Sequence, residues 1–419
     1  MNQDFNPTLP QFKLTEEHKV LRDPIHGYIN IYYQVIWDLI GTPEFQRLRR
    51  IHQLGGTLQV YHTAEHSRFG HSLGVYEVVR LMVENVKDLK DVLTEFEQVA
   101  VLCAGLLHDL GHGPFSHSFE TITGIDHEEI TDRIILEDTK VNQVLVEAHP
   151  DLPKAVADII AHRHERKLLS QMISSQMDAD RMDYLLRDSY FTGVSYGEFD
   201  LFRILRTIRI VEDKMVVKES GIHAVEDYIM ARYQMYWQVY LHPVSRSYES
   251  LLTAIFKRMR DVDPLLLKDA KPLIPFLTND NFSIKEFIRL DESVVLASFM
   301  NLLESDDSIL VDLASRILNR DLFGYANWID ENQFSEYKQV VEELGYNSKY
   351  YVLKDFMSQT LYKPYQVHEN AGVWVLKESG ELLEISQASS VVRGFVESDD
   401  KEDRKIFFPK EVLDGGLDE

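Results

Sequence analysis

The chain has 419 residues, 44% of them apolar, which is enough for one large core with an appendage or for two ordinary domains. Its 44 Lys and Arg face 68 Asp and Glu, a formal charge of -24 that excludes a broad electrostatic footprint for duplex nucleic acid or anionic lipid but leaves room for a local anion pocket. No run of eighteen apolar residues occurs and the first residues lack a basic-then-apolar leader pattern, so the expectation is a cytoplasmic protein without membrane contact.

From Lys19, KVLRDPIHGYINIYY alternates apolar and polar residues around Ile25-His26-Gly27 and reads as a hairpin. Thr42-Pro43 offers a cap and a first-turn proline ahead of EFQRLRRIHQL, where a run of helices begins. Phe69, Leu73, Tyr76, Val79, Val83 and Val86 recur at threes and fours and describe an amphipathic helix. EFEQVAVLCAGLL is apolar on nearly all sides and must be buried, so its Cys103, the one cysteine of the chain, reads as a structural thiol. In SSQMDADRMDYLLRDSYF, helical angles put Asp180, Tyr184, Arg187 and Asp188 on one arc, opposite Met182, Leu185 and Leu186. Asp183 and Arg187, at i and i+4, read as a structural ion pair. RTIRIVEDKMVVK reads as a second hairpin turning at Glu212-Asp213, and Tyr248, Leu251, Leu252 and Ile255 start a further helical stripe. After Asn327 the character changes, and KYYVLKDF, GVWVLKESGELLEIS and RKIFFPKEV read as strands. The expected fold is mainly α, a helical core with short β-hairpins over 1–326 and a small α+β appendage over 327–419.

Chemistry concentrates early. Eight of the sixteen histidines, His52, His62, His66, His71, His108, His112, His117 and His127, fall within 76 consecutive residues, where chance would place about three. The buried apolar helix ends in His108-Asp109 and breaks at Gly111, Gly113 and Pro114. An ionised Asp there is costly to desolvate unless a cation or hydrogen bonds offset it. A divalent metal would serve both residues, and a hydrogen-bonded helix terminus would serve them as well. His66, Arg68 and His71 sit at the entry to the preceding helix, so polar groups are offered where its apolar face is already committed.

The order His71, His108-Asp109, Asp180 resembles the HD-domain metal phosphohydrolases. DPIHGYI, EFQRLRRIHQLGG, HSRFGHSLGVYE, HDLGHGPFSH, DHEE and DADRMDYLLRD, in that order, resemble the HD-type deoxynucleoside triphosphate triphosphohydrolases, over roughly residues 18–260. These include bacterial dGTPase-like enzymes and the catalytic core of the animal dNTPase with a sterile-alpha-motif domain. The resemblance implies an HD-domain helical core and one divalent metal ion (Mn, Mg, Fe, Ni or Zn) held by His71, His108, Asp109 and Asp180. It implies catalytic roles at the reacting phosphate for His117 and His112, with His127 and Glu128 as a supporting pair. It places Arg68, Arg181 and Arg232 on the triphosphate, Arg181 standing where relatives often have Lys. Gln53, Tyr184 and Asp188 would meet the sugar, and Tyr240 would pack beneath it where a 2′-OH clashes, although Tyr240 reads equally well as a core residue and Pro243 departs from the pattern. Hydrolysis to deoxynucleoside and inorganic triphosphate, a homo-oligomer (tetramer or dimer) and an activating deoxynucleoside triphosphate at Lys19, Val20, Gln46 and Arg49 are further implications. Gly41 stands where a guanine-reading carboxylate is expected, and Arg49 also suits an ordinary exposed helix position.

Rival readings are another HD phosphohydrolase (phosphodiesterase, nucleotidase or alarmone hydrolase) and a catalytically silent nucleotide sensor. HDLGHG lacks the Lys of the HDxGK enzymes and the acidic pair favoured by alarmone hydrolases.

Overall fold

A computed structural model of the chain describes residues 11–414 apart from 88, 278–281, 360–371 and 399–400. The N-terminal hairpin forms as expected, Leu14–Asp23 pairing antiparallel with Gly27–Tyr33. After the helix Gln34–Ile40, Thr42 caps the helix Pro43–Arg47 by accepting from the Phe45 N–H, with Pro43 at its first position. That helix is shorter than the sequence suggests, giving way after Arg47 to the 3-10 turn Leu48–Arg50.

Three helices form the centre. Arg68–Asn85 packs against both Glu95–Leu107 and Ala179–Thr192, and the hairpin closes over it through Tyr76 Oη donating to the Asn30 carbonyl at 2.8 Å. The amphipathic expectation for Arg68–Asn85 is therefore corrected: with helices on two sides it is buried almost all round, and its inward Glu77 and Arg80 satisfy each other at 2.6–2.8 Å. Gly74 permits the close crossing with Ala179–Thr192, since a Cβ there would lie 1.8 Å from Asp183 Oδ1. Glu95–Leu107 starts in a Thr94/Glu97 capping box and is buried from Val99 onward. Cys103 within it is fully buried, and burial pushes its thiol up beyond any nucleophilic range.

The second hairpin, Ile208–Val211 with Lys214–Lys218, turns at Glu212-Asp213, both at positive φ (49° and 59°) as a tight two-residue turn requires. Trp374–Leu376 and Leu382–Glu384 extend it to four strands, Val217 pairing in parallel with Val375. A three-stranded sheet carries Lys401–Phe408 between Gly324–Asn327 and Leu353–Gln359. KYYVLKDF is only partly strand, since Ser348–Tyr351 is a helical turn. Residues beyond 327 are stitched to the rest by Arg246 of Pro243–Asp261, which is buried and binds Asp355 at 2.7 Å and the Asp403 carboxylate. A single apolar core runs from Phe12 to Val412. The fold is mainly helical with small sheets, and among the described residues no helix is long and apolar enough to cross a membrane.

Candidate metal centre

Three helix ends converge on one point. His71 lies in the first turn of Arg68–Asn85, His108 closes Glu95–Leu107, and Asp180 is the second residue of Ala179–Thr192, whose cap is Asp178. His71 Nε2 is 3.0 Å and His108 Nε2 3.6 Å from Asp180 Oδ1. Asp109 approaches with Oδ1 at 3.3 Å from His108 Nε2 and Oδ2 at 3.7 Å from His71 Nε2. Two ligands each about 2.1 Å from one ion lie ~3.0 Å apart at a right angle and ~3.4 Å apart at a tetrahedral angle, so these separations suit a shared cation. Both imidazole Nε2 atoms are buried and make no hydrogen bond, while His108 Nδ1 faces the Gly105 carbonyl at 3.0 Å. Two orphaned nitrogens aimed at two carboxylates fit a divalent metal, and the mixed N/O donors suit several first-row ions.

The electrostatics agree. Burial alone would lower the His71 imidazole, but Asp180, Asp183 and Asp109 carry it up to about 10. His108 moves the same way, burial being overridden by Asp109 and Asp180. Burial would raise the Asp109 carboxyl, yet Arg68, His108 and His112 hold it well below the usual range. The carboxylates thus favour positive charge at both imidazoles, which a divalent cation between them would equally supply.

Next to this cluster, His112 Nε2 is 3.3 Å from Asp109 Oδ1, and burial with the Arg68 charge keeps the His112 imidazole well below its ordinary pKa. Its ring stacks on His127 at 4.0 Å between centroids. The expected pairing of His127 with Glu128 is corrected: His127 Nδ1 meets Glu120 Oε2 at 3.0 Å, while Glu128 is exposed on the first helical turn. Residues adjacent on a helix point about 100° apart, and here that turns Glu128 outward while His127 faces Glu120. His117 opens the helix His117–Thr123, and its side chain lies outside the described residues. Gly111 of the HDLG stretch is obligatory, because a Cβ would lie 2.0 Å from the His127 carbonyl oxygen.

Of the residues expected on substrate, Arg68 is buried, with Nε on Ser116 Oγ at 3.0 Å and its guanidinium on the Asp109 carboxylate. Arg181 binds the Ser175 carbonyl and Asp178, and Arg232 binds Gln176 Oε1 at 2.9 Å, so both cations border one short turn. Tyr184 lies 6.5 Å from the His71 ring and 6.2 Å edge-on from Tyr240. Tyr240, in a π-helical turn, donates to Asp188 Oδ2 at 2.8 Å, and His66 Nε2 is 2.8 Å from Asp188 Oδ1. Gln53 donates its backbone N–H to the His66 carbonyl at 3.0 Å, and its own Oε1 is buried without a partner. A chain of ring and hydrogen-bond contacts thus runs from His71 through Tyr184 and Tyr240 to Asp188 and His66. Arg187 does not join it: the expected arc splits, and Arg187 turns back to pair with Asp183 and Asp23.

The four residues expected at a regulatory site fall in two pairs beside the helix Gln34–Ile40. Lys19 sits 5.8 Å over Trp37 next to the exposed Val20, while Gln46 donates to the Ile40 carbonyl at 2.7 Å and accepts from Arg49 at 2.9 Å.

Sequence reasoning missed two carboxylates. Asp183, read as half of an ion pair, also accepts from His71 Nδ1 at 2.8 Å. Glu292, fully inside, accepts from the backbone N–H groups of His52 (3.0 Å) and Phe115 (3.2 Å) and from the His52 ring, clamping the positive-φ turn Phe115-Ser116. The Glu292 hydrogen bond raises the His52 imidazole to about 9 from 6.5 against the lowering effect of burial. A raised histidine stabilises fully below its unfolded pKa and loses that contribution as pH rises through the folded one. Wild type is therefore expected to lose about 1–2 kcal/mol relative to His52→Gln between pH 6.5 and 9, the partial exposure of the ring being allowed for. Parallel denaturant titrations of the two proteins across that range check it, and curves of equal slope would refute it.

Fold and donor set together define a helical scaffold around a divalent-metal cradle. A family model described as the HD domain matches residues 68–188, and one described as the HD associated region matches residues 199–349. The uncharacterized protein YwfO of Bacillus subtilis is 46% identical over 97% of this chain and 95% of its own. A crystal structure titled as a phosphohydrolase, BT4208 of Bacteroides thetaiotaomicron, superposes with a TM-score of 0.84 at 29% identity, over 94% of this chain and 100% of that one. The deoxynucleoside triphosphate triphosphohydrolase SAMHD1 homolog of Dictyostelium discoideum is 32% identical over 66% of this chain, which spans 54% of that protein. The chain belongs to the HD-domain phosphohydrolase family.

Proposed function

We propose that this protein hydrolyses deoxynucleoside triphosphates to deoxynucleosides and inorganic triphosphate. The observation that carries the reading is the continuity of the His71, His108 and Asp180 cluster, through Tyr184, with the hydrogen-bonded Asp188–Tyr240 pair. The SAMHD1 relatives, which are named for this activity, support it. His71, His108, Asp109 and Asp180 would hold one divalent ion, which when bound polarises a phosphoryl oxygen and makes water a better nucleophile near neutral pH.

The chain's own groups divide the remaining work. Arg68, Arg181 and Arg232 offset the triphosphate charge in a chain that is otherwise strongly acidic. His112, kept neutral by burial and Arg68, is suited to take or pass a proton beside Asp109, with His127 stacked on it and Glu120 orienting that ring. His117 is assigned the transfer of a proton to the 5′ oxygen as the bond to the α-phosphorus breaks. Asp188 accepts from the 3′-OH, and Gln53 offers its unpartnered Oε1 to the same sugar. Tyr240 fills the space a 2′-OH would need. The active form is a homo-oligomer in which a nucleotide at Lys19, Val20, Gln46 and Arg49 activates turnover.

Purified protein with Mn and the four dNTPs, singly and in pairs, should release deoxynucleoside plus triphosphate on ion-pair chromatography. Monophosphate or diphosphate products would move the assignment to another HD phosphohydrolase, and nucleotide binding without turnover would move it to a sensor. Tyr240→Ala is expected to narrow the preference for dNTP over NTP, read as a ratio of kcat/KM values, on the order of tenfold. An unchanged ratio would place deoxy selectivity elsewhere.

A further inference from the structure

The turn of the N-terminal hairpin reaches the back of the metal centre. Asp183 is completely buried, and its carboxylate accepts four hydrogen bonds: Arg187 Nε (2.8 Å) and His71 Nδ1 (2.8 Å) on Oδ2, Arg187 Nη2 (2.9 Å) and His26 Nε2 (2.6 Å) on Oδ1. The His26 side chain is only 3% exposed despite standing in a turn. Asp23, at the other end of that turn, accepts from the Ile25 and His26 backbone N–H groups (2.9 and 3.0 Å) and from Arg187 Nη1 (2.9 Å). Five buried side chains from three elements thus bond directly to one another.

An ionised carboxylate accepts and never donates, so both histidines must present an N–H to Asp183. His71 then carries its hydrogen on Nδ1, and Nε2 is the nitrogen left to ligate. The orientation of the His71 ring follows the orientation of the Asp183 carboxylate plane. Arg187 contacts both Asp183 oxygens, and His26 adds the donor that meets Oδ1 from the hairpin, so the two together hold the carboxylate plane that His71 reads. We propose that His26, held by Asp23, is a positioning residue for the metal ligand His71, acting through Asp183. The hairpin is thereby a working part of the metal centre rather than a cover over the core. This inference rests on the metal reading of the His71, His108, Asp109 and Asp180 cluster.

The test is Mn affinity, measured by competition with a fluorescent chelator on full-length protein with thermal unfolding of each sample alongside. His26→Phe keeps the ring volume and removes the donor, and is expected to weaken Mn binding about 10–100-fold at temperatures where it is folded. His26→Gln returns a donor at the reach of Nε2 and should stay within about threefold of wild type, whereas His26→Asn, too short, should resemble His26→Phe. A merely structural histidine would lower the melting temperature of all three without moving the affinity of the folded protein, and that result overturns the proposal. If His26→Phe does not fold, the Gln against Asn comparison decides, and equal affinities refute it. Wild type that binds no Mn would overturn the metal reading itself, a different failure from unchanged affinity in the variants.

Discussion

Asp180→Ala protein should purify as a folded chain that retains almost no divalent metal and hydrolyses its substrate on the order of a thousandfold more slowly than wild type. Asp180 stands two positions past the capping aspartate Asp178, so the helix Ala179–Thr192 keeps its start without it. Its side chain is 31% exposed, unlike the other three members of the cluster, and its ion-pair contacts are the two orphaned imidazole nitrogens. Removing it leaves no cavity in the apolar core. Without that carboxylate His71 and His108 need less positive charge between them and relax toward neutral imidazoles. Stability should move by less than about 1 kcal/mol while the donor set drops from four to three. Elemental analysis for metal, a melting curve and steady-state turnover check the three parts of the expectation. Full turnover with full metal occupancy would dissolve the proposed centre.

The resemblance to the HD-domain phosphohydrolases pointed to His71, His108 and Asp180, and the structure brings those three side chains together as a group that could hold a metal ion. A buried helix that stops at His108-Asp109 must satisfy two polar groups, and glycine follows because Gly111 lies against the backbone of His127–Leu136. The two hairpins were equally readable from alternation and turn residues. The role of Asp183 was not. Its i, i+4 relation to Arg187 is local and visible in sequence, but its bonds to His71 and His26 exist only because two helices cross at Gly74 and a hairpin turn arrives 157 residues away in sequence.

Glu120 and Glu128 show the same limit from the other side. The resemblance couples His127 with Glu128 as a supporting pair, yet the carboxylate that meets the His127 ring is Glu120 of the preceding helix, while Glu128 is exposed. Glu292 lies 177 residues from Phe115, and its clamp on the Phe115-Ser116 turn has no local signature at all. The parallel pairing of Lys214–Lys218 with Trp374–Leu376 is illegible for the same reason, since parallel neighbours carry no turn between them to announce the contact. Burial misled once: threes and fours in Arg68–Asn85 marked a true core face, but the intervening Val75, Val78 and Met82 are buried too because a second helix covers them.

Gly74 offers the sharpest stability prediction. A Cβ at that position would stand 1.8 Å from Asp183 Oδ1 and 2.4 Å from an Arg187 guanidinium nitrogen, both fully buried and neither at the free end of an exposed chain. To admit the methyl, either the two helices separate or the ion pair opens. Both routes break the bonds that Asp183 makes with Arg187, His71 and His26, and leave charge buried without its partners. The expected loss is about 3–5 kcal/mol, a large share of the stability of an ordinary domain. Gly394, in the helix Ser390–Glu397, provides the control, since nothing lies within 4 Å of its would-be Cβ and its φ is not positive. Gly394→Ala should therefore gain up to about 1 kcal/mol from helix propensity alone. Denaturant melts of the two variants should displace in opposite directions from wild type. Gly74→Ala with a wild-type midpoint would mean that the crossing has slack, and the rigid path from hairpin to metal ligand would fail with it.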